Sequence, residues 1–201
     1  SLFINRKFDF VNPKAGILFN KNGWQSYISY AVANKEPNRD DFEAGNTQQP
    51  KPERLQDIEL GIERKLSNCN WSATLYYMTY KNQLVLTGQI NDVGAYTRTN
   101  IPKSYRMGVE LQGGIKLNSW LNAGANLALS TNKVKNFTEY FDDYDNGGQK
   151  TNSFSSADIA FSPAVVGGTS INFLPFKNAE LSLLSKYVSK QYLDNTESDS
   201  R

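Results

Sequence analysis

The chain has 201 residues, 39% hydrophobic and 12% aromatic, with 22 basic against 20 acidic side chains. That length suits one all-β domain or one to two domains of another class, and the near-balance of charge excludes a bulk attraction to nucleic acid. Histidine is absent, which removes Ser-His and Cys-His nucleophilic sites and histidine metal sites from this stretch, and no apolar run approaches the length of a transmembrane helix.

In chain order, Ser1 to Arg6 has no charged segment followed by an apolar core, so no signal peptide is read there. Phe8 to Phe10 and Ala15 to Phe19 read as extended, with Pro13 at a bend. Lys21-Asn22-Gly23 is a short turn led by Asn-Gly. A strand over Trp24–Val32 places Trp24, Ile28, Tyr30 and Val32 on one set. Asn34–Pro52 is polar, irregular and carries three prolines, the signature of a long loop. Leu55–Leu66 alternates again, Ile58, Leu60 and Ile62 against Glu59, Gly61 and Glu63. Ser67 to Asn70 is a second short turn; it holds the one cysteine, Cys69, which has no internal disulfide partner. Trp71–Leu86 is a strand whose upper part, Tyr80 to Leu86, does not alternate cleanly. A medium loop is predicted over Thr87–Ile101.

Lys103–Lys133 is the clearest stretch. Tyr105, Met107, Val109, Leu111, Ile115 and Leu117 alternate with Arg106, Gly108, Glu110, Gln112, Gly114 and Lys116. Asn118 and Ser119 supply a turn, and Leu121, Ala123, Ala125, Leu127 and Leu129 resume the period against Asn122, Gly124, Asn126 and Ser130. That is a long hairpin with one apolar and one wet face. A second long loop is predicted over Val134–Ser156. Ala164–Phe173 and Ala179–Lys190 form a last hairpin around residues 174–178, and Tyr192–Arg201 reads as the start of another long loop. About eight strands in four hairpins make an all-β, antiparallel up-and-down meander. Both ends fall in mid-pattern. Residues 1–201 therefore read as a fragment of one all-β domain.

Three regularities point to a membrane wall. Short turns at Lys21, Ser67, Asn118 and Leu174 alternate with long loops at Asn34, Thr87 and Val134, the habit of outer-membrane barrels. Trp24, Trp71 and Trp120 each follow a short turn, as interface aromatics do; the parity of Trp120 alone places it with the polar set. Charges such as Glu59, Glu63, Arg106, Glu110, Lys116, Glu180 and Lys186 all fall on the wet set. Only the first two regularities separate this reading from a soluble or cell-surface antiparallel β-sheet binding or adhesion module, which remains the alternative.

The ordered motifs Phe10-Val11-Asn12-Pro13-Lys14-Ala15-Gly16, Glu36-Pro37-Asn38-Arg39-Asp40, Lys51-Pro52-Glu53-Arg54-Leu55-Gln56-Asp57-Ile58-Glu59-Leu60-Gly61, Tyr76-Tyr77-Met78-Thr79-Tyr80-Lys81-Asn82-Gln83-Leu84 and Ser104-Tyr105-Arg106-Met107-Gly108-Val109-Glu110 resemble the C-terminal barrel part of a TonB-dependent outer-membrane receptor of Bacteroidetes-like bacteria. The resemblance implies that residues 1–201 are a partial transmembrane β-barrel domain, an open segment of a barrel of about 22 strands around a plug, with no plug domain, no signal peptide and its last strands missing. It implies residence in the bacterial outer membrane, contact with membrane lipid, and coupling to the TonB complex through the missing N-terminal part. It further implies active uptake of a scarce nutrient, most simply a ferric chelate (siderophore), with haem, cobalamin or an oligosaccharide as other cargoes. No enzymatic role, no cofactor and no nucleic-acid partner is expected.

For sites, the acidic loop from Glu139 to Gly148 fails the calcium-loop test, because the twelfth position from Asp143 is Phe154 rather than glutamate. No catalytic or metal residues are assigned. The ligand-contact candidates on the extracellular loops are Arg39, Asp40, Tyr96, Arg98, Tyr140 and Tyr144. An arginine fork grips carboxylates and chelates bidentately, and tyrosines offer flat contact area. The bulky, charged wet face suits a wide lumen, so β pairing between the first and last strands is not expected.

Overall fold

The computed structural model describes residues 5–44, 49–90, 94 and 96–196. These form β1 (Lys14–Lys21), β2 (Trp24–Lys35), a 3-10 helix (Asp40–Ala44), β3 (Glu53–Lys65), β4 (Cys69–Ile90), β5 (Tyr96–Lys116), β6 (Leu121–Asp142), β7 (Gln149–Asp158), β8 (Val165–Phe176) and β9 (Ala179–Val188). All strands join one antiparallel sheet, β1 to β6 in sequence, then β8 and β9, with β7 also on β6. No helix among the described residues is long and apolar enough to cross a membrane. β1 and β9 do not pair with each other, so the meander is open, and each edge presents a row of unpaired N–H and C=O groups.

The strand count is nine where eight were expected, and the register explains it. Lys133 of β6 faces Asp158 of β7, and Leu129 of β6 faces Val165 of β8. β7 and β8 thus occupy one position in the wall, interrupted at residues 159–164. Eight wall positions remain, in the expected order. The first strand starts at Lys14; Phe8 and Phe10 lie outside it, their rings stacked at 6.0 Å.

Period-two alternation sorts every strand onto the same two faces. One cross-strand row reads Ile17, Ile28, Leu60, Leu75, Val109, Leu129 and Val165. The adjacent row reads Gly16, Ser29, Glu59, Tyr76, Gly108 and Ser130. The apolar face is bare: Ile17 is 73% exposed, Leu60 51% and Leu75 50%. A soluble monomer rarely leaves so large a contiguous apolar patch in water; lipid is the solvent that suits it.

Aromatics bound this face at both ends. Near the short turns Trp24, Arg64 and Trp71 share a row. The two indoles meet edge-to-face at 5.7 Å, with the Arg64 guanidinium 4.8 Å over Trp24. Trp120 joins them rather than the polar set. It lies in the turn before β6, where strand parity does not apply, and packs edge-on against Phe173 of the apolar face at 5.5 Å. At the other end Tyr30, Ile58 and Tyr77 share a row, and the Tyr77 and Tyr105 rings lie 6.3 Å apart.

The loops predicted over Thr87–Ile101 and Val134–Ser156 are largely strand. β4 continues to Ile90 and β5 starts at Tyr96; β6 continues to Asp142 and β7 starts at Gln149. Two asparagines hid this. Asn82 and Asn136 sit inside strands at φ 58° and 53°, a left-handed conformation that asparagine tolerates better than most residues, and both drop out of the pairing register. In β6 the buried positions are Asn132 and Val134 before the asparagine, and Phe137 and Glu139 after it. The period slips by one, so a strict alternation test stops there. Beyond the slip the strands close on a small core of their own, formed by Val85, Ile101, Val134, Phe137, Ala157 and Ile159 with Phe154 against them.

Candidate functional site

That upper core is the floor of a recess of about 810 Å³ at the end opposite the short turns. Upper β4 and β6, the break at 159–161 and the segment 193–196 wall it, with Tyr140, Phe141, Phe161 and Leu193 beside Arg98, Glu139 and Asn195.

The break between β7 and β8 is held from both sides. Phe161 is left-handed at φ 53° and 64% exposed, a conformation costly for a bulky residue unless neighbours fix it. Its N–H donates to the Tyr192 carbonyl at 2.9 Å. Asn195, 5% exposed, accepts from the Ala160 N–H at 2.7 Å through Oδ1 and donates through Nδ2 to the Leu86 carbonyl at 3.3 Å. On the wet face, Arg106 Nη1 donates to Ser162 Oγ at 2.9 Å and Asn132 Oδ1 at 3.3 Å, while Ser130 Oγ donates to the Pro163 carbonyl at 3.1 Å.

Two further ties fix the rim. Gln149 Nε2 donates to the Gly88 carbonyl at 2.9 Å and Asp142 Oδ1 at 3.0 Å, and Gln149 Oε1 accepts from the Ile90 N–H at 3.2 Å. Gly88 itself is required: at φ +81° a side chain there would lie 2.1 Å from the Tyr140 carbonyl oxygen. The 3-10 helix docks through Asp41, whose Oδ1 accepts from Arg98 Nε at 2.8 Å. Asp41 Oδ2 accepts from the Asn38 N–H at 2.8 Å, and Asn38 Oδ1 accepts from the Asp41 N–H at 3.0 Å.

The sequence of residues 1–200 matches the family described as TonB dependent receptor-like, beta-barrel. The chain belongs to that family. No curated protein sequence matches it. Among solved structures, the FrpB iron transporter from Neisseria meningitidis (F3-3 variant) superposes with a TM-score of 0.63 at 18% identity, covering 90% of this chain and 27% of that one. A mutant of the ferric enterobactin receptor PfeA from Pseudomonas aeruginosa, in complex with enterobactin, gives 0.62 at 17% identity, with 90% and 28% covered. The copper transporter OprC gives 0.53 at 12% identity, with 90% and 34% covered. These likenesses establish the fold, and the chain spans about a quarter to a third of the length of those proteins. The structure is therefore a segment of TonB-dependent receptor barrel wall.

Within this receptor wall the six candidate residues divide. Arg98, Tyr140 and Tyr144 line the recess, and Tyr144 is 92% exposed. Arg98 is tied to Asp41, so its fork is partly engaged. Arg39 and Asp40 are exposed at the 3-10 helix and do not line the recess; the acid that reaches Arg98 is the next residue, Asp41. Tyr96 opens β5 with its backbone paired to Ile90, and its side chain lies outside the described set. In the acidic loop, Asp143 Oδ2 takes Lys150 Nζ at 2.8 Å and Asn146 Nδ2 at 3.0 Å. The Lys150 contact first, then Asn146, holds that carboxyl below its ordinary pKa, as expected for a turn acid with internal partners.

Asp41, Gln149 and Asn195 were missed by sequence reasoning. An aspartate three residues after Asn38 is a local signal for a reciprocal cap and was available. Gln149 and Asn195 act across long separations, with no local pattern to mark them.

Proposed function

We propose that the receptor to which this wall belongs sits in the bacterial outer membrane and takes up a scarce, large nutrient, most simply a ferric chelate. Energy would reach it from the TonB complex through a region outside this chain. The observation that carries the reading is the aromatic, partly charged recess at the outer end of a wall whose lower face suits lipid. Pockets of this size with apolar walls and a few convergent polar groups are the usual small-molecule sites, and the reading is one of binding and passage rather than catalysis. Tyr140 and Tyr144 are its cargo contacts; Arg98 positions the rim through Asp41 and offers its remaining donors. Arg39, Asp40 and Tyr96 contribute from adjacent loops. The likeness to an iron transporter and to a ferric enterobactin receptor supports the chelate.

The test is saturable binding to the full-length receptor of ferric siderophores, cobalamin and oligosaccharides in parallel. The reading expects a ferric chelate to bind, and Tyr140→Ala with Tyr144→Ala to weaken it roughly tenfold, about 1.4 kcal/mol. Saturable binding of cobalamin or an oligosaccharide alone contradicts it.

A further inference from the structure

Arg54, Lys81, Lys103 and Lys135 stand directly opposite one another in one cross-strand row over β3, β4, β5 and β6. Strands lie about 4.8 Å apart, so four positive charges fall within about 14 Å. Like charges directly opposite destabilise a sheet. Among the described residues none of the four pairs with a carboxylate: Glu53 goes to Lys35 at 3.5 Å, and Asp158 to Lys133 at 2.8 Å. Arg54, Lys81 and Lys103 are exposed, and Lys135 is half-buried. Lys135 reaches Ser156 Oγ at 3.1 Å and lies 5.7 Å over the Tyr105 ring.

The row shares parity with the lipid-facing set, and its height is fixed by the wall. Lys81 is ten residues beyond Trp71 on β4. That is about 33 Å along the strand and about 25 Å in height at a tilt near 40°, which is the height of a barrel's apolar band. The cations therefore lie where acyl chains give way to headgroups, on the side opposite the short periplasmic turns. With Tyr77 and Tyr105 they line a recess of about 570 Å³.

We propose that this row is a binding site for a phosphate-bearing lipid headgroup of the outer leaflet. The phosphates neutralise the four cations, and the tyrosines pack against the headgroup and upper acyl chain. Charge complementarity and continuity with the lipid-facing band select a lipid over a soluble anion. The site is separate from the mouth recess and independent of cargo.

The experiment measures thermal unfolding of the full-length receptor in neutral detergent. Three additions are compared: a diphosphorylated glycolipid, the same glycolipid without phosphates, and inorganic phosphate. The proposal expects a rise in midpoint with the first alone. The variant Arg54→Gln/Lys81→Gln/Lys103→Gln/Lys135→Gln is expected to be at least as stable as the parent without lipid, because repulsion is relieved, and to lose the rise. If it does not fold, Lys81→Gln/Lys103→Gln takes its place and is expected to weaken glycolipid binding, counted by native mass spectrometry, by roughly tenfold. Equal rises with the dephosphorylated lipid, a full rise with inorganic phosphate, or an unchanged rise in the variants overturns the proposal.

Discussion

The same three strands, β4, β5 and β6, run through two regions built on opposite rules. Below the tyrosine row no residue on their apolar side is fully buried; Leu75 and Leu111 are 50% and 41% exposed. Above it, Val134 and Phe137 are 0% and 1% exposed. The lower wall leaves its apolar face bare, a surface suited to lipid, and the upper wall makes a core of its own. Asn82 and Asn136 mark the border, because a left-handed residue lets a strand change its buried phase without ending. Stability in the two regions should accordingly respond to different changes.

The largest expected effect is in the upper region. Phe137→Ala removes the largest fully buried side chain of its core, which costs about 3–5 kcal/mol. Hydrogen exchange should show lost protection in β7 and the upper ends of β4 to β6, with lower-wall amides unchanged. Uniform loss would mean the two regions are one cooperative unit.

In the lower region, Leu111→Arg and Leu127→Arg put a charge on the lipid face and cost about 2–4 kcal/mol each. Leu111 pairs with Leu127, and Gln112 with Asn126, on opposite faces. Gln112→Arg and Asn126→Arg should therefore insert into membranes nearly as well as the parent, as read by heat-modifiability after refolding into liposomes.

Asp41→Asn keeps the cap to Asn38 but ends the ion pair with Arg98, a contact to a nearly buried acid worth about 1.5–3 kcal/mol. Limited proteolysis should then cut at the 3-10 helix while the wall stays intact.

How far this division was legible is itself physical. The lower wall obeys period two against a single solvent, so its strands, faces and the turns at Asn22, Ser67 and Asn118 could be read directly. The upper strands carry polar groups on both faces and cross a phase slip, so alternation reported loop where there is strand. The site was legible only in type. Tyrosines and an arginine at the mouth could be foreseen, but Asn195 finds its partner 109 residues away, and nothing local distinguishes Asp41 from Asp40 except the Asn38 spacing.

The smallest effect is a pH dependence at the rim. Asp143 has a folded pKa below its unfolded value. Its contribution is fully present above about pH 4, the unfolded value, and is lost as pH falls through the lower folded value. Proteolytic cutting of the β6–β7 turn should rise over that acidic window, and Lys150→Gln should flatten the profile.

The most direct test is a single-cysteine scan of β6 in the full receptor, from Ala125 to Glu139, in liposomes and with Cys69→Ser as background. A bilayer-dissolved quencher and an aqueous thiol reagent are applied in turn. Labels at 125, 127 and 129 should be quenched from lipid, those at 126 and 128 should not, and the alternation should break at Asn136, with 137 and 139 shielded from both reagents. Equal aqueous reactivity at 126 and 127, or an alternation running unbroken through 136, would contradict a lipid-facing wall carrying a separately cored outer region.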